Sequence, residues 1–199
     1  MTELLNGSRQ ACVKLGPGLP TALIPDAVEA EWVSDAGTVV EAALWAGTGT
    51  HPGRRRAVVG AHELHRDDPV PLPAVGPIGD FLYEPDGAVI RAGLVPLVAE
   101  RLGAHRVFDT VAYLTGDSLV DTPFAAAFRV DEVLPYAEKA LRSWVRERGV
   151  GVLEIKKRGI EVDPAALRRK LRPQGRASAT VVLTPTPAGA RAIVVSRLA

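Results

Sequence analysis

Residues 135–173 read PYAEKALRSWVRERGVGVLEIKKRGIEVDPAALRRKLRP, and helix and strand signals alternate in them more clearly than anywhere else in the chain. Pro135 can open a helix, because the N–H it lacks has no partner in a first turn. Ala137, Ala140, Leu141, Trp144 and Val145 then recur at i, i+3, i+4, i+7 and i+8, an apolar stripe along one helix face. Arg148 continues that row, Glu138, Arg142 and Arg146 form a second one, and Gly149 is a stop signal. Residues 150–156 read as a strand. Asp163 and Pro164 start a second helix, with Leu167 and Leu171 on its inward side. Residues 128–134 are predicted as a strand before the first helix. Residues 179–183 and 192–195 are predicted as strands after the second, joined through 184–189. The order β-α-β-α-β-β predicts two helices on one face of a small mixed sheet, with the other face left open.

Charge follows the same division. The whole chain has 24 Lys+Arg against 23 Asp+Glu, but residues 1–127 hold 9 against 16 and residues 128–199 hold 15 against 7. A basic module joined to an acidic remainder points to a polyanionic partner, nucleic acid first. The cations gather at Lys156, Lys157 and Arg158, at the end of a strand, and at Arg168, Arg169 and Arg172, in and just after the second helix. These six are the candidate RNA-contacting residues, because the arginine fork donates two hydrogen bonds to a phosphate at once. No aromatic is interleaved with them, so the expected readout is of phosphate and shape rather than base stacking. The competing reading is a solvated surface, neutralised in part by Glu138, Glu147, Glu154 and Glu161.

Upstream, residues 11–15 form a short apolar strand ended by Gly16-Pro-Gly18. Residues 29–34 alternate, Asp35-Ala-Gly37 turns, and 38–45 return, which is a hairpin signal. Trp32 and Trp45 are expected to face each other across it. Residues 54–60 and 62–65 read as further short strands. Prolines 69, 71, 73 and 77 make 67–77 an extended linker, since proline cannot donate to a ladder. Asp86 is a candidate N-cap for a helix running to Gly103, with Pro96 predicting a kink or break in it. Residues 107–115 read as a strand. The fold class is α+β in three regions: a β-rich 1–66, a proline-rich and helical linking region 67–127, and a basic 128–199.

A hydrophobic content of 47% and a charged content of 24% are ordinary for a globular chain. One cysteine excludes an intrachain disulfide and fits a reducing compartment. No stretch approaches the ~20 apolar residues of a membrane span. The N-terminus has no apolar signal core, so the expected location is cytoplasmic. His62 and His65 stand at i and i+3, whereas a zinc-protease helix needs i and i+4, so no metal ligand is assigned. Cys12 is expected to be a packed thiol inside its strand. No serine lies in a nucleophile elbow, and no catalytic residue is assigned. Arg54, Arg55 and Arg56 form a second basic spot.

Several stretches together resemble one family: Cys12-Val-Lys-Leu-Gly-Pro-Gly18, Glu29-Ala-Glu-Trp-Val-Ser-Asp35, Val40-Glu-Ala-Ala-Leu-Trp45, Tyr83-Glu-Pro-Asp-Gly-Ala-Val-Ile-Arg-Ala-Gly93, Ala112-Tyr-Leu-Thr115 and Ile155-Lys-Lys-Arg-Gly159. They are similar to the C-terminal part of actinobacterial-type class I methyltransferases that end in a THUMP-like domain. The resemblance implies that residues 11–15 are the fifth strand of a methyltransferase sheet and the 29–45 hairpin its last two. It implies that the basic third is a THUMP-like module that binds RNA, tRNA or rRNA. Full-length members carry S-adenosylmethionine on their first four strands, beside a glycine-rich turn and an acidic residue for the ribose. None of that pattern occurs in these residues, so the expectation is no cofactor and no catalysis by this chain alone. Two alternatives stay open: a methyltransferase component active only with a cofactor domain, and a protein-interaction domain. Strands parted from their sheet would leave an open edge, which implies a homodimer or association with a methyltransferase domain.

Overall fold

The structure, a computed structural model, describes residues 10–198. It is α+β, with two mixed sheets and four α-helices among those residues. They form two compact units that interleave along the chain. Segments 10–73, 85–101 and 121–126 belong to one, and 74–84, 102–120 and 127–198 to the other. The central region 67–127 therefore contributes to both.

The first unit is built on a five-stranded sheet: β1 (Ala11–Leu15), β2 (Glu29–Asp35), β3 (Thr38–Ala46), β4 (Arg55–Val59) and β5 (His62–Arg66), in the order β1-β3-β2-β4-β5. The β2–β3 hairpin closes through Ala36 and Gly37, both at positive φ (48° and 77°), as a type I′ turn requires. That turn and a bulge between Val33 and Ser34 set the register. Trp32 stands opposite Ala42, and Trp45 opposite Glu29, so the two tryptophans do not face each other. They sit on opposite faces of the sheet, because 29 and 32 differ by an odd number. Trp32 is fully buried, and its lateral neighbours Ala42 and Ala57 are small enough to leave room for its indole.

Helix α1 (Gly87–Arg91) packs on β2, β3 and β4. Asp86 caps it by accepting from the Ala88 N–H at 2.7 Å, and Ser34 Oγ donates to the other carboxylate oxygen at 2.9 Å. The expected long helix is broken, as the proline pattern requires. Gly93 takes φ 69°, and α2 (Val95–Leu102) restarts with Pro96 in its first turn, where a missing N–H is harmless.

The second unit carries a seven-stranded sheet of β6 (Phe81–Pro85), β7 (His105–Arg106), β8 (Leu114–Gly116), β9 (Ala125–Pro135), β10 (Val150–Lys157), β11 (Ala177–Thr186) and β12 (Gly189–Arg197). Its order is β10-β11-β12-β9-β6-β8-β7, with β10 and β11 parallel. Helices α3 (Glu138–Glu147) and α4 (Pro164–Leu171) complete the β-α-β-α-β-β order. Pro135 ends β9 instead of opening α3; it pairs with Arg191, and the helix begins after Ala137. Both helices cover one sheet face, where Leu141, Val145, Leu167 and Leu171 meet Leu153, Ile155, Val181 and Leu183.

The opposite face is not left open along its middle. Val182, Ile193 and Val195 are buried there beneath Val107, Val111, Tyr113 and Phe128. This is also why 107–115 is not one strand. Only its end joins a ladder, as β8, which pairs with β7 just ahead of the run, and the chain between them turns its apolar side chains onto the sheet. Burial, and next the Glu84 carboxylate, push the Tyr113 phenol up to about 12.

Two outcomes follow from these placements. Ala36 occupies a left-handed position that asparagine tolerates better, so Ala36→Asn should raise unfolding stability by about 0.5–1 kcal/mol in urea titration. The Tyr113 phenol ionises near 10 in the unfolded chain but stays neutral when folded. Stability should therefore fall as pH rises from 10 to 12, by about 2 kcal/mol, and Tyr113→Phe should remove that part of the fall.

Candidate nucleic-acid interface

Helix α4 presents its cations because its other side is anchored. Asp163 accepts from the Ala165 N–H at 2.9 Å, and Leu167 and Leu171 are each 2% exposed. Arg168 and Arg169 then have nowhere to point but outward, and both are exposed. Arg172 ends the helix at φ 53°, with its N–H donating to the Arg168 carbonyl at 3.2 Å. The following turn is strapped to the start of β10. The Gly175 N–H donates to the Val150 carbonyl at 3.1 Å, and the Ala177 N–H to that of Gly149 at 3.0 Å. A Cβ on either Gly151 or Gly175 would strike the facing backbone, so this crossing requires glycine at both places.

On α3, burial of Leu141 and Val145 turns Arg142 and Arg146 outward. Two cations of this layer are neutralised. Lys170 Nζ lies 3.0 Å from Glu138, and Arg148 lies 3.1 Å from Glu132, which also accepts from Trp144 Nε1 at 2.9 Å. Lys139, Arg142, Arg146, Arg168, Arg169 and Arg172 are exposed and have no carboxylate partner among the described residues. Arg176, in the strapped turn, is likewise exposed and unpaired.

The six residues picked out by sequence divide into two groups. Arg168, Arg169 and Arg172 lie in the helical layer. Lys157 is exposed at the end of β10, on the side of Ile155, which faces the helices. Lys156 and Arg158 go to the other side. Lys156 Nζ is 2.6 Å from Glu84 and stands 5.5 Å over the Phe128 ring. Arg158 is 3.6 Å from Glu84 and 5.4 Å over Tyr113. Glu84, Tyr113 and Phe128 were invisible as partners in the sequence, because Glu84 and Lys156 are 72 positions apart and no local pattern joins them.

The basic spot at 54–56 is consumed by acids. Arg54 meets Asp67 at 2.6 Å, a hydrogen bond that raises the arginine and lowers the aspartate. Arg56 lies 2.6 Å from Glu31 and 3.6 Å from both Glu29 and Glu63. Burial, and next Arg66, lower Arg55. Cys12 is exposed rather than packed, since its apolar neighbours on β1 take the inward side. His62 stands edge-on to Phe124, and among the described residues no three His, Cys, Asp or Glu side chains come together as metal ligands would. No helix of the described residues is long and apolar enough to cross a membrane.

Residues 125–197, from β9 to the end of β12, match the family described as THUMP domain-like. The chain is 37% identical over 188 residues to uncharacterized S-adenosylmethionine-dependent methyltransferases of Mycobacterium tuberculosis, strains CDC 1551 and H37Rv. That match takes in 91% of this chain and 51% of those proteins, so the chain spans about half the length of the curated relatives. A crystal structure described as a "putative methyltransferase from Porphyromonas gingivalis W83" shares the fold with a TM-score of 0.78 at 21% identity, over 100% of this chain and 53% of the other. The chain is thus similar to about half the length of proteins described as uncharacterized S-adenosylmethionine-dependent methyltransferases, and its residues 125–197 match the THUMP domain-like family.

Proposed function

We propose that the THUMP-like unit binds structured RNA, tRNA or rRNA, through the phosphates, as the RNA-recognising part of an RNA methyltransferase. The observation that carries this reading is the set of exposed arginines in the helical layer that no carboxylate of the described residues holds. Lys157, Arg168, Arg169 and Arg172 are the proposed phosphate contacts, with Arg142 and Arg146 beside them on α3. Glu138 and Glu132 take up only Lys170 and Arg148 of this layer, and its other cations keep their charge. Phosphate contacts of this kind fix orientation and affinity without reading sequence.

S-adenosylmethionine would need a glycine-rich strand-to-helix turn with room for the cofactor. The glycines at the passages into α1 and α4 do not leave it. A Cβ at Gly87 would meet the Val39 side chain, and one at Gly159 would meet Val111 and Pro185. The described residues do not fit the cofactor there, and no step of methyl transfer is assigned to them. The free edge of β1 favours pairing with a methyltransferase domain, or with a second copy of this chain.

The test is fluorescence anisotropy with labelled tRNA at several salt concentrations between 50 and 200 mM. Affinity should fall steeply as salt rises, because each neutralised phosphate releases a counterion. Arg168→Glu with Arg169→Glu should weaken binding at least tenfold and flatten the salt slope by about 1.5–2. Wild-type affinity in that double variant removes the reading.

A further inference from the structure

The sheet face opposite α3 and α4 carries a second group of cations, and each already has an acid against it. Lys156 Nζ lies 2.6 Å from one Glu84 carboxylate oxygen, and Arg158 lies 3.6 Å from the other. The Tyr113 hydroxyl donates to Glu84 as well, at 3.5 Å. Arg197 stands 5.7 Å over the same Phe128 ring as Lys156 and meets Glu154 at 3.1 Å, and Thr180 donates to that glutamate at 3.0 Å. Lys156 and Glu84 side chains are 24% and 22% exposed, so the pair is neither solvated freely nor sealed off.

The donor count is what makes this group more than a staple between β6 and β10. Lysine has three N–H donors and arginine five. Two cations here share a single carboxylate, which also receives a phenol. Both reach that one group, so they stand close enough to grip one phosphodiester between them. A phosphodiester offers two anionic oxygens to the same donors that a carboxylate satisfies.

We infer that Glu84 is an internal stand-in for RNA phosphate: it masks Lys156 and Arg158, and RNA gains this face only by displacing it. This rests on the RNA reading of the THUMP-like unit and adds a second contact surface to it. Because Glu84 is tethered, it competes at a high effective concentration. A lone phosphate group loses to it. A continuous RNA backbone that also meets Arg197 gains several contacts at once and can win. Glu84 is in this way a residue that sets which nucleic acid is accepted, not one that adds affinity.

Glu84→Gln tests this, because it keeps the shape and removes the charge. With the same labelled tRNA, Glu84→Gln should bind at least threefold tighter at 50 mM salt. Its salt slope should steepen by about 1–2, the count expected for one or two freed cations. Adding Lys156→Ala with Arg158→Ala in that background should return binding to the wild-type value. The same pair of alanines in the otherwise wild-type chain should weaken binding less than it does in the Glu84→Gln chain, because Glu84 already takes up part of the charge of those cations. If Glu84→Gln leaves affinity and slope unchanged, or if the alanine pair costs as much in the wild-type chain as in the Glu84→Gln chain, the masking role is overturned. Glu154→Gln checks the neighbouring Arg197 in the same way and should give a smaller gain. The outcome is separable from that for Arg168 and Arg169. Loss of binding in that double variant with no gain in Glu84→Gln leaves the helical interface standing and removes only the mask.

Discussion

Strands β11 and β12 must be buried on both faces, and the rest of their unit is arranged to do it. Val181, Leu183, Ala192 and Val194 face the helices, while Val182, Ile193 and Val195 face the other way, and all seven are buried. Burying both sides of two such strands is worth about 1.5–3 kcal/mol per large side chain. It requires a second cover besides α3 and α4. Phe128 and the segment around Val107, Val111 and Tyr113 supply that cover, which is why residues from the middle of the chain belong to this unit. The cover also limits where the RNA proposed above could lie. With the middle of the sheet closed, the helical layer becomes the broad exposed cationic surface, and Lys156, Arg158 and Arg197 on the sheet face are drawn against Glu84 and Glu154.

Elements with a strong local period were legible in the residues themselves. The α3 stripe, the Asp163-Pro164 start of α4 and the Ala36-Gly37 hairpin all carry their signal within a few positions, and each forms where the pattern places it. Elements defined by distant partners were not legible. β6 is not among the strands expected from sequence, since Phe81, Leu82 and Tyr83 pair with Gly116, Thr115 and Leu114 more than thirty positions away. The 107–115 run is as apolar as a strand, but its burial is against a sheet face and not in a ladder. Trp32 and Trp45 looked like a facing pair, and a bulge together with a two-residue loop put them on opposite sides. The site followed the same rule. Exposure of Arg168 and Arg169 follows from Leu167 and Leu171 alone, whereas the capture of Lys156 and Arg158 needed Glu84.

Net charge is therefore a weaker guide to a binding surface than the pairing of each charge. The spot at Arg54, Arg55 and Arg56 is as dense in cations as the run at Lys156, Lys157 and Arg158, and four carboxylates take up two of its arginines. A partly buried cation needs such a partner, since desolvation without one is costly. An exposed cation on a helix needs none, and a surface pair contributes little to stability. The cations left unpaired in the helical layer are those whose pairing would stabilise the fold least, and so they are available for a phosphate.

Arg172 bears this out from the backbone. It holds a left-handed conformation at the end of α4, φ 53°, where glycine would be at ease. A residue with a Cβ there costs roughly 1–2 kcal/mol. After α3 the left-handed residue comes one place later, at Gly149 with φ 60°, and there it is glycine. What glycine cannot supply at the end of α4 is a guanidinium, held beside Arg168 and Arg169 by the Gly175 strap. Strain kept at the end of a small helix, at a residue whose charge has no carboxylate partner among the described residues, supports the proposed phosphate contact.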